Sequence, residues 1–170
     1  QASFSIYDPA CGSGGMLTEA EGFARTITEE KCKFHLHGQE VNPETWAICT
    51  ADMLIKEEPG EDKDSSKNIF FGSTLSKDGF PDSQFDFMLS NPPYGKSWKT
   101  DVGAIVDGKN KISDPRFMRG VPRSSDGQLL FLANMAYKMK KRSEVGSRVA
   151  SVHNGSALFT GDAGSGESEI

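Results

Sequence analysis

Apolar and polar residues alternate over Phe4-Ser5-Ile6-Tyr7, the two-residue period of a strand with one buried face, and the run stops at Asp8-Pro9. Gly12-Ser13-Gly14-Gly15 then supplies a tight turn. Over 16–27 the period lengthens to that of a helix, with Leu17, Ala20 and either Phe23 or Ala24 along one side. Alternation returns over 33–40. Asn42-Pro43 reads as a helix start with proline in the first turn, and the helix over 44–56 is expected to offer Trp46, Ala47, Ala51, Leu54 and Ile55 to a core. The charged stretch 57–67, with Pro59-Gly60, is expected to be a surface loop, and 68–71 a short strand.

Another loop is predicted at 78–84. The apolar run 85–90 reads as a buried strand leading directly into Asn91-Pro92-Pro93-Tyr94-Gly95. From Gly95 to Ser125 no period is visible, so 96–126 is expected to be a long irregular loop, functional or mobile. An amphipathic helix follows over 127–141, with Leu130, Phe131, Met135 and Met139 apolar and a lysine-rich end suited to a helix C-terminus. A last strand is predicted over 148–152, and 156–170 turns to Gly, Ser, Asp and Glu as loop or tail. The order of elements implies an α/β fold with an open, mostly parallel sheet, whose core is residues 1–155.

Composition narrows the possibilities. A chain of 170 residues, 36% hydrophobic and 25% charged, has the size and balance of one globular domain. It has no apolar run fit to span a membrane and no leader-like start. Three cysteines without a CxxC pair favour a reducing cytoplasm over a disulfide or zinc scaffold. The net charge of −5 lacks the basic footprint of a protein that grips DNA unaided, and Lys and Arg concentrate only around 96–123 and 138–148.

Two segments carry candidate chemistry. Asp8-Pro9-Ala10-Cys11-Gly12-Ser13-Gly14-Gly15 joins a strand to a helix, where backbone can approach a ligand and helix N–H groups face it. No Lys follows as in a phosphate loop, and Asp8 would repel a phosphate but accept a bond from an ammonium. Glu40, ending the second strand, stands where nucleotide-binding α/β folds place the acid that holds ribose hydroxyls. Together they fit an adenosyl ligand with an amino-acid tail. In the second segment, the Asn91 amide oxygen and the Pro92 carbonyl can each accept a hydrogen of one planar amino group, the Pro92-Pro93 pair keeps them rigid, and Tyr94 offers a face for an extruded base. Either segment could also be read as a plain turn. Their order along the chain favours a methyl transfer governed by positioning and electrostatics.

DPACGSGGML followed by SNPPYG resembles the amino-group DNA methyltransferases with the cofactor motif first. GQEVNPETWAICTADMLI, FGSTLSKDGF, SDPRFMRGVP and GSRVASVHNGSALFTGDAGSGESEI resemble, more closely, the modification subunit of type I restriction–modification systems. The resemblance spans essentially the whole chain. It implies a Rossmann-like methyltransferase fold and an S-adenosylmethionine site formed by Asp8, Pro9, Ala10, Cys11, Gly12, Ser13, Gly14, Gly15 and Glu40. It also implies an adenine pocket formed by Asn91, Pro92, Pro93 and Tyr94, with the N6 amino group of adenine in DNA as methyl acceptor. A specificity subunit would choose the DNA sequence and a restriction subunit would cut, which accounts for the acidic charge.

Many relatives carry an acid at the Ser73 position, where the cofactor's adenine is contacted. Here that contact could fall to Ser73, to Asp52 or to Phe71. Trp98, just beyond the tetrapeptide, is the aromatic expected to reach substrate. Other readings are a protein-glutamine N5-methyltransferase, which also uses this tetrapeptide, or an inactive structural fragment. The predicted sheet is incomplete for such an enzyme and the flanking segments of relatives are not in the sequence. The 170-residue chain is therefore expected to bind S-adenosylmethionine weakly, if at all, and to methylate little or nothing alone. Tight binding in calorimetry would contradict this.

Overall fold

The structure, a computed structural model, describes residues 2–56, 65–142 and 145–155. Among the described residues five strands form one parallel sheet: β1 (Ala2–Asp8), β2 (Cys32–Glu40), β3 (Ile69–Phe71), β4 (Phe87–Ser90) and β5 (Arg148–Ser151), in the order β3-β2-β1-β4-β5. The helices are α1 (Gly15–Ile27), α2 (Pro43–Lys56), the short α3 (Val102–Ile105) and α4 (Gln128–Tyr137). The expected tail at 156–170 lies outside the described residues. So does the loop expected at 57–67, except for its end, which is a turn of 3-10 helix, Ser65–Asn68.

Alternation along the strands separates two cores. Phe4, Ile6, Phe34, Leu36, Phe87 and Leu89 face α1 and α2, where Leu17, Cys49 and Met53 meet them. Tyr7, Phe85, Met88 and Val149 face the other way, toward Met135 of α4. The result is helices on both faces of the sheet, the arrangement that parallel strands require because both faces must be covered. On α1 the buried line runs through Leu17, Ala20 and Ala24, while Phe23 is exposed.

The buried face of α2 differs from the expected one. Trp46, Cys49, Thr50 and Met53 turn inward, at helical spacing i, i+3, i+4 and i+7, whereas Ala47, Ala51, Leu54 and Ile55 are exposed. Apolar residues occur all round this helix, so periodicity alone could not choose the face. Docking chooses it: the Trp46 indole donates to the Ile69 carbonyl of β3 at 2.9 Å. At the start of α2 the Asn42 side chain accepts from the Glu44 and Thr45 N–H groups, each at 3.0 Å, with Pro43 as the first helical residue.

The lysine-rich end of α4 also departs from expectation. The helix stops at Tyr137 because Phe85 N–H captures the Lys138 carbonyl at 2.9 Å. The Lys138 side chain is drawn inward, its ammonium 2.7 Å from Asp78 Oδ2 and 2.5 Å from the Phe80 carbonyl. It acts as the centre of a buried ion pair and does not serve as an exposed partner for the helix dipole.

Residues 96–126 are irregular but not unstructured. They hold α3, a bridge between Val106 and Ile112, and a 3-10 turn at Pro115–Phe117. Trp98, Ile105 and Phe117 pack with Leu75 and Leu130 into a third core of their own. No helical or strand period marks them because their burial comes from contacts between short pieces.

The glycine loop after β1 rests on α2. Gly14 has φ +87°, and a Cβ there would lie 2.8 Å from Cys49 Sγ and 2.9 Å from Met53 Cε, whereas a Cβ at Gly12 (φ +56°) would meet open space. Gly14→Ala should cost roughly 2–4 kcal/mol, from left-handed strain plus overpacking, and Gly12→Ala roughly 1–2 from strain alone. Urea unfolding of the two variants measures the difference, and equal losses would contradict the packing argument.

Candidate active site

Strand order reverses between β1 and β4, and the crevice above the carboxyl ends of strands at such a reversal is where open α/β sheets hold ligands. The loop after β1, the loop after β3 and the tetrapeptide after β4 surround a cavity of about 290 Å³ there, with Phe131 of α4 closing one side. Pro9, Ala10, Glu40, Ser73, Asn91 and Pro93 are on its wall. The structure therefore brings the two candidate segments, far apart in sequence, to one cavity.

Asp8 ends β1 and is 1% exposed. Its Oδ1 accepts from Ala10 N–H at 2.9 Å and from Ser90 Oγ at 2.8 Å. Burial pushes its pKa up, the two hydrogen bonds pull it down, and the nearby Glu40 charge adds a further rise, leaving it at about 6. Glu40 ends β2. It receives Gly12 N–H on Oε2 at 2.9 Å and Asn42 N–H on Oε1 at 2.7 Å, tying the glycine loop to the start of α2. Each of its oxygens retains a lone pair for a ligand hydroxyl.

The glycine loop has an underside and a ligand side. Cys11 is part of the underside: its N–H donates to the Gln39 carbonyl at 3.1 Å, and its thiol is buried 4.0 Å from that of Cys49. Gly14 is also buried there. Pro9 and Ala10 line the cavity, while Gly12 is half-buried and Ser13 and Gly15 are exposed at the entry to α1, whose N-terminus has no capping side chain.

In the tetrapeptide, Pro92 is buried while Asn91, Pro93 and Tyr94 are exposed. The Tyr94 hydroxyl donates to Asn91 Oδ1 and lies 3.3 Å from the Val152 carbonyl beyond β5. A rigid buried proline thus presents an amide oxygen and an aromatic ring together.

Ser73 lies on the cavity wall, its Oγ accepting from Leu75 N–H at 3.3 Å. The other two candidates for the adenine contact are placed elsewhere. Asp52 pairs with Lys56 along α2 at 2.7 Å, and Phe71 packs its half-exposed ring against Trp46, 5.5 Å between centroids. Trp98 is a correction. It is 4% exposed, its indole donates to the Arg123 carbonyl at 3.0 Å, and its ring fills the space over Gly127, so it is a core residue and faces no substrate.

Several residues of the site carry no motif signal. Thr74 is buried and donates to the Pro9 carbonyl at 2.5 Å. Gln39, fully buried, donates to the Gly72 and Lys77 carbonyls at 3.1 and 2.7 Å and accepts from Gly79 N–H at 3.2 Å, which fixes the loop after β3. A glutamine next to the strand-end Glu40 was the available clue, since buried polar groups are bonded ones.

Asp8 gives a pH dependence whose sign is set by its raised pKa. The folded protein holds the Asp8 proton more tightly than the unfolded chain does, so stability falls as pH rises from about 4 to about 6 and stays lower above that. The shift corresponds to at most about 3 kcal/mol. Asp8→Asn should therefore raise the melting temperature at pH 7.5 and leave it unchanged at pH 4. A variant less stable than the parent at pH 7.5 would contradict this.

Residues 1–169 match the N-6 DNA methylase family. The chain is 28% identical over 141 residues to the type I restriction enzyme HindI methylase subunit of Haemophilus influenzae, covering 82% of this chain and 29% of that protein. It is 26% identical over 147 residues to the type I restriction enzyme MjaIX methylase subunit of Methanocaldococcus jannaschii, covering 84% and 24%. It thus spans less than a third of these relatives. In fold it is similar to the M protein of the type I restriction enzyme EcoKI, with TM-score 0.62, 22% identity and coverage of 93% of this chain and 31% of that one. It is also similar to a structure from Listeria monocytogenes described as a class I S-adenosylmethionine-dependent methyltransferase, with TM-score 0.63, 14% identity and coverage of 94% and 42%. With the family match spanning nearly every residue and the fold that of a methyltransferase, the chain belongs to the N-6 DNA methylase family.

Proposed function

We propose that this chain is the catalytic core of the modification subunit of a type I restriction–modification system, transferring a methyl group from S-adenosylmethionine to the N6 amino group of adenine in DNA. The observation that carries this reading is that Asn91, Glu40 and the glycine loop line one cavity at the reversal of strand order.

The residues present fit the cofactor. Asp8 is a buried carboxylate at the carboxyl end of β1, next to the cavity-lining Pro9 and suited to an ammonium, and the uncapped N-terminus of α1 suits a carboxylate. Glu40 suits the ribose hydroxyls, and Ser73 and Val41 the adenine side of the cavity. S-adenosylmethionine supplies an electrophilic methyl on its sulfonium. The protein's part is to hold the target nitrogen. Asn91 Oδ1 and the Pro92 carbonyl accept its two hydrogens, which turns the lone pair out of the ring system and toward the methyl, and Tyr94 stacks on the extruded base. The Tyr94 hydroxyl already donates to Asn91 Oδ1, whose second lone pair is left for the amino group.

DNA as the substrate is supported by the exposed cations of the 96–126 segment, Lys96, Lys99, Lys109, Lys111, Arg119 and Arg123. Arg116, in the same segment, is not part of that surface, being buried in ion pairs. With a net charge of −5, much of the grip on DNA is assigned to the specificity subunit, with the restriction subunit as the further partner. Among the described residues no helix is long and apolar enough to cross a membrane, and DNA as substrate places the protein in the cytoplasm.

The test is transfer of labelled methyl to duplex DNA by the protein with its partner subunit, compared with Asn91→Ala. Removing one of the two acceptors should lower turnover by about 10²–10³-fold, as loss of one charge-stabilising group does elsewhere. Label found on protein glutamine in place of DNA, or an unaffected Asn91→Ala, would overturn the reading.

A further inference from the structure

We propose that Arg116 is the positioning residue of the cofactor cavity, setting the wall that faces the cofactor's adenine; this rests on the S-adenosylmethionine reading above. Arg116 lies in the 3-10 turn Pro115–Phe117, remote in sequence from every other residue of the site, and its side chain is 6% exposed. A guanidinium has five N–H donors, and here each finds an acceptor. Nε is shared between the two oxygens of Asp114 at 3.1 and 3.2 Å. One terminal nitrogen donates to the Thr74 carbonyl at 2.7 Å and to Asn134 Oδ1 at 3.0 Å. The other donates to the Leu75 carbonyl at 2.9 Å and to Asp114 Oδ2 at 2.7 Å.

The two carbonyls matter most. They are successive backbone groups at the end of the cavity wall formed by Gly72, Ser73 and Thr74. The Thr74 hydroxyl in turn donates to the Pro9 carbonyl of the glycine loop, so Arg116, Thr74 and Pro9 form a continuous chain of bonds across two walls. Asn134 carries the same guanidinium to α4, three residues along from Phe131, which lines the same cavity. One side chain therefore fixes three separate elements around one cavity.

Stability alone is a poor explanation for such a group. Burying a cation and its carboxylates is usually no better for stability than apolar packing, because desolvation cancels most of the attraction. What the fork geometry does provide is direction. A lysine at this position would keep the charge but, as a compact point charge, could not reach two successive carbonyls and Asp114 in one plane.

The experiment measures S-adenosylmethionine affinity of the protein with its partner subunit by calorimetry, well below its melting temperature, for Arg116→Lys, Thr74→Val and the double variant. Losing one well-placed bond to the wall should weaken binding by about tenfold for either single variant. The double variant should be little weaker than Arg116→Lys alone, because both interrupt the same chain of bonds. Lys140→Met is the comparator. It breaks a 2.6 Å bond to Asp86 at the opposite end of the sheet, and should lower the melting temperature without changing affinity. Arg116→Lys with parental affinity, or a loss matched by Lys140→Met at equal loss of melting temperature, would overturn the proposal while leaving the cofactor reading intact. A parent that binds no S-adenosylmethionine even with its partner subunit present would overturn both.

Discussion

The 2.8 Å bond from Ser90 Oγ to Asp8 Oδ1 joins the carboxyl ends of β4 and β1, the two neighbouring strands between which the sheet reverses its order. The glycine loop leaves from one end of this bond and the tetrapeptide from the other. Parallel pairing sets both strands pointing the same way, so their outgoing loops must share one edge. The buried carboxylate at this junction costs stability at neutral pH, since its pKa is raised to about 6. A cation seated against Asp8 would offset that cost, which is how a binding group differs from a structural one at the same depth.

Around this junction the fold invests in holding loops. Cys11 and Gly14 seal the underside of the glycine loop against α2 and β2, leaving its other surface for a ligand. Glu40, Gln39 and Thr74 fix the neighbouring loops by bonds to backbone. The site is made mostly of main chain held in place by buried polar side chains, which suits a reaction that needs alignment and no side-chain nucleophile. The 96–126 segment joins the same network through Arg116, so the surface that carries the exposed cations and the wall of the cavity are linked by direct bonds.

Much of this was legible in the sequence, and the rest was not for identifiable reasons. Strands with alternating or continuous apolar character, and helices bounded by Asn42-Pro43 or by the glycines, were placed to within a few residues because local propensity and burial agree there. The places of Asp8, Glu40 and Asn91 were legible because each ends or directly follows a strand that the pattern identifies. The face of α2 was not, because apolar residues surround that helix and only docking on Ile69 selects among them. Trp98 and Lys138 were misplaced for one reason: an aromatic near a motif and a lysine near a helix end are both usually at the surface, and here each is buried by a partner distant in sequence, Gly127 for one and Asp78 for the other. Arg116 lay inside a family-like segment whose match spoke of kinship and not of role. Its role appears only when the Thr74 and Leu75 carbonyls are seen in front of it.

In the proposed function one cofactor spans the crevice from the Asp8 end of β1 to the loop after β3, with its sulfur toward Asn91. A crystal structure of the full chain with S-adenosylhomocysteine tests it most directly. The ligand's ammonium is expected against Asp8, its ribose hydroxyls on Glu40 and its adenine beside Ser73 and Val41. A ligand seated elsewhere, or one whose sulfur is turned away from Asn91, would contradict it.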